Sequence, residues 1–200
     1  MNRPKIEVGL PAGTTRGRNI MTEAHRQNLS EGSRDVGLKE VSAYLKEMDV
    51  PFELFLCQQP WFYTHAELAS CIGIPVRAMA KVIVLKAGTS LVLGIVPAQA
   101  SIDLGRAKQV LQIRKVQLAT EGEVRQRFHG CDVNSIPPFG TLFNLPMVLD
   151  LSMVQNEQIA FPVENHHQAI KLRLPDFLKL QSPWVGEIRC QPLRMGSGVS

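Results

Sequence analysis

The 200-residue chain is 44% apolar and 20% charged, close to globular averages, which excludes disordered, collagenous and disulfide-rich classes. Its net charge of +4 suits an anionic partner such as RNA without requiring one, and the basic residues are scattered rather than gathered in a block. No run approaches the roughly 18 apolar residues of a membrane-spanning helix; the longest, at 82–85 and 91–96, are strand-sized, so a cytoplasmic protein with no membrane partner is expected.

Residues 1–34 hold no continuous apolar segment of the kind a secretory signal needs. They are expected to form a disordered tail, with Met21 an alternative start. From 35 to 48, Val36, Leu38, Val41, Leu45 and Met48 recur at helical intervals between charged residues, which predicts an amphipathic helix. A short strand is expected over 52–56, after Pro51. Thr64 followed by Glu67 spells a capping box for a helix that stops at Gly73. The β-branched runs at 79–86 and 90–96, separated by Ala87-Gly88-Thr89, predict a hairpin at the centre of a sheet.

Beyond the hairpin, 101–111 reads as a helix with Asp103 in its first turn, and 116–118 as a short strand. Thr120 and Glu123 repeat the capping box for a helix ending near His129-Gly130. Ile136-Pro137-Pro138-Phe139-Gly140 is expected to be a rigid loop, because two prolines fix φ and leave no donors for a ladder. Strands are predicted at 147–150, 158–161 and 170–173, and a closing helix at 174–180 that stops before Pro183. The pattern is that of one α+β domain over 35–183, a largely antiparallel mixed sheet flanked by helices, with a C-terminal tail from 184 to 200.

Cys57, Cys71, Cys131 and Cys190 form no C-x-x-C pair, and no histidine falls at zinc-site offsets, so reduced, mostly buried thiols and no metal are expected.

Six pieces in order, Tyr63-Thr64, Met79-Ala80-Lys81-Val82, Ile95-Val96-Pro97-Ala98, Leu118-Ala119-Thr120, Pro137-Pro138-Phe139-Gly140 and Asp176-Phe177-Leu178, resemble the YbaK family over about 140 residues. That family includes the editing domain of bacterial prolyl-tRNA synthetase and its free-standing homologues. The resemblance implies a compact mixed sheet that receives the charged 3′ end of tRNA and hydrolyses the aminoacyl ester without metal or nucleotide cofactor. It implies that Lys81 holds the tRNA end near its terminal phosphate, that Ile136, Pro137, Pro138, Phe139 and Gly140 shape the amino-acid pocket, and that His166 lies beside it. The implied partners are the acceptor end of a mischarged tRNA, such as alanyl- or cysteinyl-tRNA for proline, and prolyl-tRNA synthetase.

Elementary chemistry is compatible with that expectation. An aminoacyl ester is already activated, so a catalyst needs chiefly to place water and stabilise an oxyanion, which backbone N–H groups in a rigid loop can do. The candidate stretch is Asn134-Ser135-Ile136-Pro137. Lys81 opens an otherwise apolar strand. One reading is a stem that snorkels its ammonium to the rim; the other is a phosphate anchor, for which a compact, persistent charge is suited.

Two departures from the family pattern stand out. Glu164 replaces the usual glycine in Glu164-Asn165-His166, and Asn134 and Ser135 stand where relatives show glycine before the proline loop. Because glycine allows backbone geometries that Glu does not, a non-catalytic module that binds tRNA or a synthetase is the competing expectation. Trp61-Phe62-Tyr63 reads as a hydrophobic staple before a capped helix more readily than as a base-stacking platform.

Overall fold

The computed structural model describes residues 36–57, 64–129, 131, 135–163 and 168–190. The N-terminal segment expected as a tail, the Trp61-Phe62-Tyr63 run, Asn134 and the Glu164-Asn165-His166 stretch lie outside them.

The helices are α1 (Leu38–Glu47), α2 (His65–Cys71), α3 (Leu104–Leu111), α4 (Glu121–Arg127), α5 (Gly140–Phe143) and α6 (Leu174–Gln181). The strands are β1 (Phe52–Leu56), β2 (Ala80–Ala87), β3 (Ser90–Pro97), β4 (Val116–Leu118), β5 (Met147–Asp150), β6 (Gln158–Val163), β7 (Gln168–Arg173) and β8 (Trp184–Gly186). Both capping boxes form as the sequence predicts: Thr64 accepts from the Glu67 amide at the start of α2, and Thr120 from the Glu123 amide at the start of α4. α3 begins at Leu104 rather than at 101, so Asp103, expected within the first turn, is its cap, accepting from the Arg106 amide. Gly73 and Gly88 take the left-handed backbone that ends α2 and turns the β2–β3 hairpin.

The β2–β3 hairpin is at the centre of a five-stranded sheet of order β4-β2-β3-β5-β8, in register from Ala80↔Pro97 to Ala87↔Ser90. β5 and β8 join it in parallel, whereas every other pairing is antiparallel. The strands divide into two sheets rather than one, since β1, β7 and β6 form a separate three-stranded sheet. A single parallel bridge, Met79↔Ala160, ties the sheets together at the entrance to β2. Alternation along β2 and β3 sends side chains to both faces of the five-stranded sheet, and the described residues form three apolar clusters. The largest lies between the sheets and contains Ala80, Val84, Ile95, Leu149, Phe161, Ile170 and Phe177, with Val41 and Leu45 of α1 and Val124 of α4. On the opposite face of the five-stranded sheet, Leu85, Val92, Val96 and Val148 pack on Ala107 and Leu111 of α3. A small cluster, with Leu68 and Ala69 of α2 against Ala160 and Ala169, backs the three-stranded sheet.

Two expectations are corrected. Cys57 and Cys71 are bonded as a disulfide, with Cα atoms 6.7 Å apart. A separation of 14 residues conceals that the end of β1 and the end of α2 meet on one small cluster. Cys71 and Cys190 are exposed and Cys131 is half-buried, so Cys57 alone of the four cysteines is buried. The segment from 184, expected as a tail, adds β8 to β5, and Ile188 is fully buried. Asp150 holds it there: its carboxylate accepts from the amides of Ile188 and Arg189, each at 2.9 Å, and from the Ser152 amide at 3.0 Å and the Ser152 hydroxyl at 2.5 Å. The Arg189 guanidinium completes the set at 3.3 Å.

Candidate functional site

Lys81 is the second residue of β2, opposite Val96. Its neighbours Ala80 and Val84 enter the core between the sheets, while Ile83 and Leu85 join the α3 cluster. Alternation therefore puts Lys81 on the α3 face, at the end of the strand that β4 does not reach. Its ammonium has no carboxylate or hydrogen-bonding partner among the described residues, and partial burial lowers its pKa from the usual lysine value. A half-buried, unpaired cation beside an apolar sheet face is poised for an anion that brings its own charge.

The proline loop is more enclosed than a surface loop. Every residue from Ser135 to Gly140 is buried. Ile136 belongs to the core between the sheets. Phe139 was expected to line a pocket, but its ring has no exposed surface. It meets Phe161 at 5.3 Å and Tyr44 and Phe177 at 5.9 Å, all edge-on, so it anchors the loop in the core. Gly140 shows why no larger residue fits there: a Cβ would lie 2.3 Å from the Leu145 carbonyl oxygen and 2.5 Å from Met147 Cγ.

The polar groups of the loop fall into two sets. The Phe139 N–H donates to the Pro137 carbonyl at 2.8 Å, and the Gly140 N–H to Met147 Sδ at 2.8 Å. Pro137 and Pro138 carry no N–H. That leaves the amides of Ser135 and Ile136 and the Ser135 hydroxyl, none of which has a partner among the described residues, although Ser135 is 4% exposed. The Ser135 hydroxyl is not among the fully enclosed side-chain atoms left without a partner, so it keeps some exposure, and the unpaired groups on these two adjacent residues mark a place that water or a ligand completes.

No hydrogen bond or ring contact among the described residues links Lys81 to this loop, and Ile136 and Phe139 lie in the cluster on the other face of β2 from Lys81. The unpaired ammonium and the unpaired loop donors are thus separate elements of the structure. Asn134 and His166, the other residues singled out by sequence, lie outside the described residues. Among the described residues no group of three or more His, Cys, Asp or Glu side chains is gathered to hold a metal ion.

The profile of the aminoacyl-tRNA editing domain matches residues 59–180. The chain belongs to that family. The editing-domain match spans both Lys81 and the Ser135–Gly140 loop, while α1, β1 and β8 lie outside it. No curated protein matches the chain. Among solved structures, one described as "a putative trans-editing enzyme for prolyl tRNA synthetase" is similar at 20% identity and a TM-score of 0.66, covering 76% of this chain and 96% of its own. Another, from work on "epitope backbone grafting by computational design", is similar at 17% identity and a TM-score of 0.67, covering 77% of this chain and 97% of its own. At these identities the likeness shows the fold. No helix among the described residues is long and apolar enough to cross a membrane.

Sequence reasoning missed three residues that bear on the editing-domain loop, namely Tyr44, Thr141 and Gln181. They carry no motif and are brought together from positions 97, 40 and 137 residues apart.

Proposed function

We propose that this protein is a trans-editing deacylase that hydrolyses the ester of a mischarged aminoacyl-tRNA carrying a small amino acid such as alanine or cysteine, on proline tRNA. The observation that carries the reading is the editing-domain match over residues 59–180, which contains both the unpaired lysine and the unpaired loop donors.

In this reading the Lys81 ammonium meets a phosphate near the tRNA terminus, and the extended 3′ end lies across the edge of the five-stranded sheet toward the loop. The amides of Ser135 and Ile136 donate to the ester carbonyl oxygen as it becomes an oxyanion. They are already desolvated and unpaired, so they require no reorganisation as the charge develops. The Ser135 hydroxyl hydrogen-bonds the attacking water, and a ribose hydroxyl of the substrate assists in taking its proton. Asn134 borders the same donors in sequence, Pro137 and Pro138 stiffen the approach, and Phe139 and Gly140 fix the loop to the core. His166 supplies a further polar contact to the aminoacyl end. Prolyl-tRNA synthetase is the partner that supplies the mischarged tRNA.

The test is deacylation of a panel of mischarged tRNAs, including alanyl- and cysteinyl-tRNA for proline, by the full chain and by Lys81→Ala. Turnover on one class that collapses in the variant supports editing and names the amino acid. Binding of tRNA without turnover on any member would favour a non-catalytic module.

A further inference from the structure

Gln181, the last residue of α6, is 8% exposed and is one of three buried polar or charged side chains among the described residues. Its Nε2 donates to Thr141 Oγ1 at 3.0 Å and lies 3.4 Å from the Tyr44 hydroxyl. Its Oε1 faces the Thr141 amide at 3.4 Å. Thr141 Oγ1 in turn donates to the Tyr44 hydroxyl at 2.9 Å. Three elements distant in sequence, α1, α5 and α6, thus meet through one amide, one threonine hydroxyl and one phenol.

Tyr44 has a second role. Its ring packs edge-on against Phe139 at 5.9 Å while its hydroxyl engages Thr141. The residues on either side of Gly140 are therefore both held by one side chain. From Thr141 back to Ile136 the chain runs through Gly140, hemmed in by Leu145 and Met147, then Phe139 and two prolines with fixed φ. Such a segment has little compliance, so a displacement at Thr141 is passed along to the amides of Ile136 and Ser135 rather than absorbed.

We propose that Tyr44, Thr141 and Gln181 form a latch that sets the position of the Ser135 and Ile136 donors, making them positioning residues for ester hydrolysis. The proposal rests on the editing reading above. Tyr44 and Gln181 both fall outside the segment that matches the editing domain. The latch is accordingly a contribution of this chain's own flanks to the domain's loop.

The test compares Thr141→Val, which keeps shape and removes the hydroxyl, with Thr141→Ser, which keeps the hydroxyl, and with Tyr44→Phe, which keeps the ring on Phe139. Deacylation kinetics are read together with amide hydrogen exchange. Thr141→Val and Tyr44→Phe are expected to lower kcat about tenfold with KM held within about twofold, as for a misplaced catalytic group. Exchange at the Phe139 and Gly140 amides should rise while that of the β2–β3 ladder stays constant, and Thr141→Ser should recover most of the wild-type rate. Unchanged kcat in Thr141→Val and Tyr44→Phe overturns the proposal, even if exchange rises. So does a Thr141→Ser variant as slow as Thr141→Val. A wild-type chain that turns over no charged tRNA sinks the editing reading instead. In that case unchanged exchange at Phe139 and Gly140 in both variants overturns the latch as well, and faster exchange supports it as the element that holds the loop.

Discussion

Asp150 and Ser135 are both buried polar residues, 1% and 4% exposed, and the fold treats them in opposite ways. Asp150 is saturated: two amides of the C-terminal segment, the Ser152 amide and hydroxyl and the Arg189 guanidinium all converge on it. Ser135 has a hydroxyl and an amide that find no partner among the described residues, and Ile136 adds a second such amide. A carboxylate with every lone pair used is a structural clasp. Donors left open in a rigid, buried loop are what an oxyanion needs, because the cost of desolvating them has already been met by folding. Burial alone does not separate the two roles; saturation does.

Substitutions at each end should divide along that line. The largest effect is expected from Asp150→Ala, which strands the Ile188 and Arg189 amides and releases β8. Removing one partner of a buried charge network costs about 3–5 kcal/mol, and a denaturant titration of the variant against wild type would register it. A loss under about 1 kcal/mol would show that the clasp is ornamental.

Gly140→Ala should follow at about 3 kcal/mol, the upper range for overpacking, since backbone and Met147 both stand where the Cβ must go. Its signature in thermal melts is a lower Tm accompanied by loss of deacylation, because the loop itself must shift.

Lys81→Ala divides the other way. Deacylation should fall about 10–100-fold, equivalent to roughly 1.4–2.7 kcal/mol of transition-state binding, while Tm stays the same or rises, because a partly buried cation without a partner is removed. Ser135→Ala is expected to cost about tenfold in kcat and to leave stability within about 0.5 kcal/mol, since no protein hydrogen bond is lost. A marked drop in Tm for Ser135→Ala would place it with Asp150 and undo the comparison.

The smallest effect is a pH dependence at Glu123. The hydrogen bond from Lys86, with the Thr120 amide and hydroxyl, lowers the Glu123 pKa to about 2. Its unfolded value is about 4.3. A depressed carboxylate stabilises the fold at pH above the unfolded value and loses that contribution as pH falls toward the folded one. Melting curves of wild type and Glu123→Gln should therefore converge between about pH 4.5 and 2, and a gap that stays constant across that window would count against the Lys86–Glu123 contact.

Local signals in the chain were legible. The capping boxes at Thr64 and Thr120, the hairpin turn at Gly88 and the strands at 52–56, 116–118 and 147–150 stand where spacing puts them, and the family resemblance read from ordered short pieces agrees with the editing-domain match. Less legible were elements whose partners are remote. β8 has too few residues to show a period and exists because β5 and Asp150 receive it. Phe139, expected to line the amino-acid pocket, has a fully buried ring that meets rings from α1, β6 and α6 edge-on, contacts its local sequence does not show.

By itself, then, the sequence determined what short-range sterics and capping decide: the identity and order of most of the elements, the two fixed φ angles of Pro137 and Pro138, and the lysine that interrupts an apolar strand. Only the tertiary structure decided which groups remain unsatisfied. Whether Ser135 and Ile136 keep free donors, whether Cys57 meets Cys71, and whether Tyr44, Thr141 and Gln181 close on one another all depend on neighbours 14 to 137 residues away. Hydrogen-bond saturation is a property of those neighbours, and no window of local sequence contains them.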